Sequence, residues 1–171
     1  MISKQIQDAI NTQINDELWS AYLYLSMSMD AESKGLRGVA NWMFVQWKEE
    51  QDHARILQQY MIEQNARVVL QPITEVPTKW NSLASMFKDT LSHEKGVTKS
   101  INKIATMAVK WAERHRLCAA SLVGRLLRVE LEHLAGSLDL EANRRNGADD
   151  EGGALNVVQN PCYQISEIGG S

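Results

Sequence analysis

The sequence predicts an all-α protein, a four-helix bundle with one long crossover between its second and third helices. Three observations carry this expectation. Long stretches of the 171-residue chain repeat their apolar side chains at a helical period, and only three prolines occur in the whole chain. The region without that period, around Pro72 and Pro77, separates the second stretch from the third.

The first helix is predicted from a cap at Ser3 to about Ser33, with Ile6, Ile10, Ile14, Ala21, Tyr24, Leu25 and Met29 forming its apolar stripe. Lys34-Gly35, with Gly38 nearby, ends it. The second helix starts at Leu36 or Gly38 and runs to Asn65, turning Val39, Trp42, Met43, Gln46, Leu57 and Tyr60 inward. From Ala66 to Asn81 the chain reads as an extended connection, β-like at Arg67-Val68-Val69-Leu70. At about 3.3 Å per residue it can travel back along the bundle. Ser82 can cap a third helix with Leu83, Phe87, Val97, Ile101, Ile104 and Ala108 on one face. From Trp111 to Leu138 the sequence stays helical in type with no Gly, Pro or Asn to mark a turn before it, and a break is placed near Lys110–Glu113 from geometry. Residues 1–140 therefore form the bundle, and 141–171 an irregular tail, with room for a short helix. A bundle with a single long crossover is the ferritin-like arrangement.

Composition narrows the function classes. Hydrophobic residues make up 44% and charged residues 23% of the chain, as in ordinary globular proteins. A net charge of -3 and a pI near 5.8 give no reason to expect nucleic acid or an anionic membrane as partner. Cys118 and Cys162 lie far apart with no CxxC, so neither a disulfide framework nor a zinc ribbon is indicated. No leader opens the chain, and charged or amide groups interrupt every apolar run. A cytoplasmic location is the expectation.

The informative feature is a set of ionisable residues on the apolar stripes. Glu17 lies between Ile14 and Ala21, Glu50 and His53 share a face with Gln46 and Leu57, and Glu94 lies between Thr90 and Val97. Glu130 and His133 share a face with Val123 and Leu126. Burying an isolated carboxylate costs several kcal/mol, so these groups need partners. Four glutamates and two divalent cations balance in charge, with the imidazoles as neutral donors. Glu50-Gln51-Asp52-His53 and Glu130-Leu131-Glu132-His133 are both Glu-x-x-His, and residues three apart share a helix face. One Glu from each of two helices plus Glu-x-x-His from each of the other two is a carboxylate-bridged dimetal pattern. Depth agrees as well. In an antiparallel hairpin the turn lies midway between residues at equal height, and midway between Glu17 and Glu50 is Ser33-Lys34. Midway between Glu94 and Glu130 is Ala112, which is why the last turn is placed there. Such donors suit iron or manganese better than zinc or copper.

With these residues in view, the chain resembles the bacterial non-haem ferritins. The matching segments are Ile14-Asn15-Asp16-Glu17-Leu18-Trp19-Ser20-Ala21-Tyr22-Leu23-Tyr24-Leu25-Ser26-Met27, Ala40-Asn41-Trp42, Glu49-Glu50-Gln51-Asp52-His53-Ala54 and His93-Glu94, within a resemblance running from Met1 to about Val109. It implies an iron-storage protein with ferroxidase activity, in which Glu17, Glu50, His53 and Glu94 are di-iron ligands. Tyr24 would hydrogen-bond a ligand or supply an electron. It further implies Fe(II) with O2 or H2O2 as substrates, and a homo-oligomeric shell of 24 subunits. Beyond Lys110 the chain departs from the family. Where the fourth helix usually carries a glutamine and several glutamates it reads Leu126, Leu127, Arg128, Val129, Glu130, and only Glu130 stays in register. A one-residue slip of that helix would remove Glu130 or replace it with Glu132. Glu49 would serve the family's auxiliary iron site, but Leu126 and Val129 stand where its partners belong, so that site is expected to be lost or weak. Arg114-His115-Arg116 is basic for a segment that helps line entry channels in ferritins. His133 makes the second Glu-x-x-His, a resemblance to bacterioferritin. That relative's haem-binding methionine would fall at Gln51 or Asp52, so no haem is expected.

Two other functions follow from the same residues. A structural ferritin shell subunit with an impaired ferroxidase centre is motivated by the apolar Leu126–Val129 stretch. A rubrerythrin-like peroxidase ranks last, because no CxxC-type iron site is present.

Overall fold

The computed structural model describes residues 2–115, 120–129 and 131. Helix α1 spans Lys4–Ser33, α2 Arg37–Glu63 and α3 Leu83–His115, and residues 120–129 form the described part of a fourth helix, α4. No strand occurs among the described residues. No helix among them is long and apolar enough to cross a membrane.

Each boundary has a local cause. Ser3 Oγ accepts from the Ile6 amide and satisfies one of the first free donors of α1. Gly35 takes φ 75°, where a side chain would be strained, and turns the chain into α2. Asn65, at φ 53°, performs the same reversal after α2, and the Ala66 amide closes back onto Met61 O at 2.9 Å. Ser82 and Ser85 exchange backbone-to-hydroxyl bonds at the start of α3.

The core has two apolar clusters. The lower one joins Ile6, Ile10 and Ile14 of α1, Leu57 and Met61 of α2, Val97, Ile101 and Ile104 of α3, and Leu122, Leu126 and Val129 of α4. The upper one joins Leu23, Tyr24 and Met27 of α1 to Val39, Trp42 and Met43 of α2 and Met86 of α3. Helix α1 thus runs upward while α2 and α3 run downward, with α1 packed along both.

The connection between α2 and α3 is extended, but its β-like part pairs with no strand. Asn11 Nδ2 donates to Arg67 O at 3.0 Å, and Asn11 Oδ1 accepts from the Val69 amide at 2.8 Å. Asn15 repeats the exchange with Val69 O and the Gln71 amide at 2.9 and 2.7 Å. Four residues of helix rise about 6.0 Å and two of extended chain about 6.6 Å, so the two asparagines match alternate crossover residues. Higher up, Val76 and Trp80 are buried in the upper cluster, and the Trp80 amide and indole are held by Asp30 and Asp89.

Two expectations are corrected. Met29 is 54% exposed and Leu25 only half-buried, whereas Leu23 and Met27 face the core. A step of four residues turns the helix about 400°, so the run Ala21, Leu25, Met29 rotates off the buried face. The break placed near Lys110–Glu113 is absent. Helix α3 continues to His115 with Ala108 and Ala112 buried, in keeping with a segment that lacks breakers. Residues 116–119, 130 and 132–171, including Glu130, His133 and the tail, lie outside the described residues.

Candidate metal centre

The boundary between the two apolar clusters is polar. Glu17, Glu50, His53 and Glu94 occupy it, each at most 1% exposed. Their place follows from helix period. Glu17 continues the face of Ile14 and Ala21, Glu50 and His53 sit between Met43 and Leu57, and Glu94 sits between Thr90 and Val97. One donor atom each from Glu17, Glu50 and His53 lies within 4.8 Å of the others. His53 Nδ1 stands 3.4 Å from Glu50 Oε2, as the three-residue spacing requires.

Glu94 is held differently. Its Oε1 accepts from the Tyr24 hydroxyl, a contact across the bundle from α3 to α1. Burial, then the nearby charges of Glu94, Glu50 and Glu49 and the bond to Glu94, keep the Tyr24 hydroxyl protonated well above the usual tyrosine range. Glu49 is buried next to the group and accepts from Gln46 Nε2.

Two further side chains support the group, and sequence reasoning passed over the first. Gln13, 1% exposed and four residues before Glu17, donates from Nε2 to Glu17 Oε1 at 2.9 Å. Its place on the Ile10–Ile14 face was a signal available from the helix period. His93 Nε2 meets Ser20 Oγ at 2.7 Å, and its ring packs against Trp19 and Tyr24. Asp16, beside Glu17, has its carboxyl raised above the usual range by desolvation and by the Glu17 charge.

Two of the fourth-helix positions that depart from the expected pattern are apolar core, while Leu127 and Arg128 are exposed. Leu126 and Val129 are fully buried in the lower cluster. Arg125 pairs with Glu63 at 2.6 Å and lies over the Tyr60 ring, which ties α4 to the lower end of α2.

A buried set of carboxylates with one imidazole carries negative charge into a low-dielectric interior. One or two divalent cations would offset it, and the oxygen-rich donors suit a hard or borderline metal.

Known proteins resemble this chain in sequence and fold. The ferritin-like domain family model matches residues 7–135. The bacterial non-heme ferritin of Bacteroides fragilis is 39% identical over 108 residues, 63% of this chain and 68% of that protein. The one from Campylobacter jejuni is 38% identical over 104 residues, 61% and 62% of the two chains. The fold superposes on the open pore ferritin of Archaeoglobus fulgidus with a TM-score of 0.76 at 38% identity, covering 88% of this chain and 91% of that one.

Proposed function

The chain belongs to the ferritin family, and from that premise we propose that it oxidises Fe(II) with O2 at the buried centre and stores the Fe(III) product in an oligomeric shell. The observation that carries this reading is the convergence of Glu17, Glu50 and His53 donor atoms inside an otherwise apolar bundle.

In this reading iron is the substrate. Glu17, Glu50 and His53 take one Fe(II), and Glu94, with Glu50 placed between, takes the second. Glu130 and His133 are proposed as the contribution of α4. Each Fe(II) gives one electron, and O2 accepts both with two protons to leave as hydrogen peroxide. Carboxylates serve because they can shift between one- and two-oxygen binding as the metal charge rises. Tyr24 anchors Glu94 by its hydrogen bond and stands ready to donate an electron. The apolar clusters above and below limit water and side reactions. Glu49 is proposed as a residual ligand of the auxiliary site, weakened because Leu126 and Val129 are packed into the core.

Assembly is supported by exposed apolar groups. Tyr22 and Met29 on α1 and Leu70 and Ile73 on the crossover are 49–63% exposed. Side chains of this kind suit contact with further copies. A closed 24-subunit shell is the assembly that the family resemblance implies.

A second reading, a shell subunit with an impaired centre, is favoured by the burial of Leu126 and Val129 where ligands would be needed. One experiment separates the two. Protein loaded anaerobically with two Fe(II) per chain is mixed with O2, and oxidation is followed by absorbance and oxygen uptake. Rapid oxidation in wild type that is lost in Glu50→Ala and Glu94→Ala supports the ferroxidase. Its further loss in Glu130→Ala places α4 in the centre. Oxidation no faster than in buffer, with assembly retained, leaves the structural subunit.

A further inference from the structure

Helices α1 and α3 leave a cleft of about 370 Å³ between them, lined by Gln13, Asp16 and Trp19 on one side and by Ser92, His93, Gly96, Val97 and Ser100 on the other. Its walls are the back of the metal centre. Gln13 lines the cleft and donates to Glu17 Oε1 at 2.9 Å, which joins the cleft to the centre. Asp16 is exposed at the rim. Gln13 is 1% exposed, and while its Nε2 donates to Glu17, its Oε1 is buried without a hydrogen-bond partner.

A buried amide oxygen without a donor is costly to keep, and one belonging to a residue that lines a cleft is suited to a visiting cation or its water. Polar oxygens then run in sequence from the surface inward: the Asp16 carboxylate, the Gln13 amide and the Glu17 carboxylate. The cleft has room for a divalent cation with several of its waters. Gly96 lines it beside open space, since a Cβ at that position would meet nothing within 4 Å, so a long side chain placed there has room to occupy it.

We propose that this cleft is the passage by which Fe(II) enters the centre, with Asp16 attracting the hydrated cation and Gln13 Oε1 handing it to Glu17. The proposal rests on the metal-centre reading above. The basic Arg114-His115 end of α3, where both side chains are exposed, is a poor entrance for a cation. A direct route through the helix pair avoids it.

The test follows Co(II) loading of the full chain by stopped-flow ligand-field absorbance without oxygen, so that entry is read apart from oxidation. Asp16→Asn removes the charge at the rim, and Gly96→Leu fills the cleft with a better helix former; neither residue belongs to the ligand set. Loading about tenfold slower or more is expected in both, the lower range for charge-steered entry, with the final absorbance unchanged. Asp16→Glu is expected to load at the wild-type rate. An unchanged rate in Gly96→Leu overturns the passage. So does a lost final absorbance in Asp16→Asn, which would make Asp16 a holder of the metal. A wild type that acquires no Co(II) spectrum overturns the metal centre itself, an outcome that needs no variant to recognise.

Discussion

The hydroxyl of Tyr24 on α1 donates to the carboxylate of Glu94 on α3, joining the two helices at the depth of the buried carboxylates. Both groups are buried. The bond holds one carboxylate oxygen of Glu94 in place.

Tyr24→Phe removes that donor with almost no change in shape. A hydrogen bond to a charged group is worth about 1.5–3 kcal/mol, and the metal-free protein is expected to lose stability in that range by urea unfolding. Initial Fe(II) oxidation should slow while Co(II) binding is retained.

Glu17→Gln tests whether the buried charges are kept for binding rather than for folding. Relief of repulsion is expected to stabilise the metal-free protein by about 1 kcal/mol or more, a rise of roughly 2–4 °C in Tm for a chain of this size. The added rise on Co(II) binding should shrink or vanish. Thermal scans with and without metal measure both, and a fall in metal-free Tm would show that Glu17 serves the fold.

Asn11→Ala and Asn15→Ala each remove two hydrogen bonds to the crossover. A loss of about 1–2 kcal/mol is expected from each. Cleavage near Val69–Gln71 by a protease at low concentration should accelerate before global unfolding does.

Gly96→Ala is expected to stabilise α3 by about 0.5–1 kcal/mol, because the site is helical, exposed and open. The gain shows in the denaturation midpoint. It also provides the small-residue control for the cleft-filling variant.

Desolvation raises the Tyr60 hydroxyl above the usual tyrosine value of about 10, and Glu63 adds to the shift while Arg125 opposes it. Between the unfolded and folded values the native state holds the proton that the unfolded chain has released. Stability must therefore fall as pH rises above about 10. Arg125→Met should enlarge the shift, as read by tyrosinate absorbance.

Much of the bundle could be read from local pattern. Ser3 as cap, Gly35 as turn and the faces of Val39, Met43 and Leu57 depend on residues a few positions apart, and helix geometry relates such residues directly. Glu17, Glu50, His53 and Glu94 were legible for the same reason, as charged groups on faces otherwise apolar. The helical course of α3 through Lys110–Glu113 was less legible, because no residue there marks a turn or a continuation and depth-matching alone placed a break. Met29 was misplaced because a four-residue step, repeated, drifts around the helix.

What the sequence by itself determined is the set of helices, the long crossover and the carboxylate-histidine group, all consequences of the 3.6-residue period and of the few residues that break it. Only the tertiary structure decided that Glu94 is held by Tyr24, that Asn11 and Asn15 clamp the crossover, that Trp80 closes the upper core and that a cleft opens behind Glu17. These contacts join residues about 50 to 70 positions apart, or arise from the space left between two helices. No local period encodes such a distance; it is set by how the helices pack.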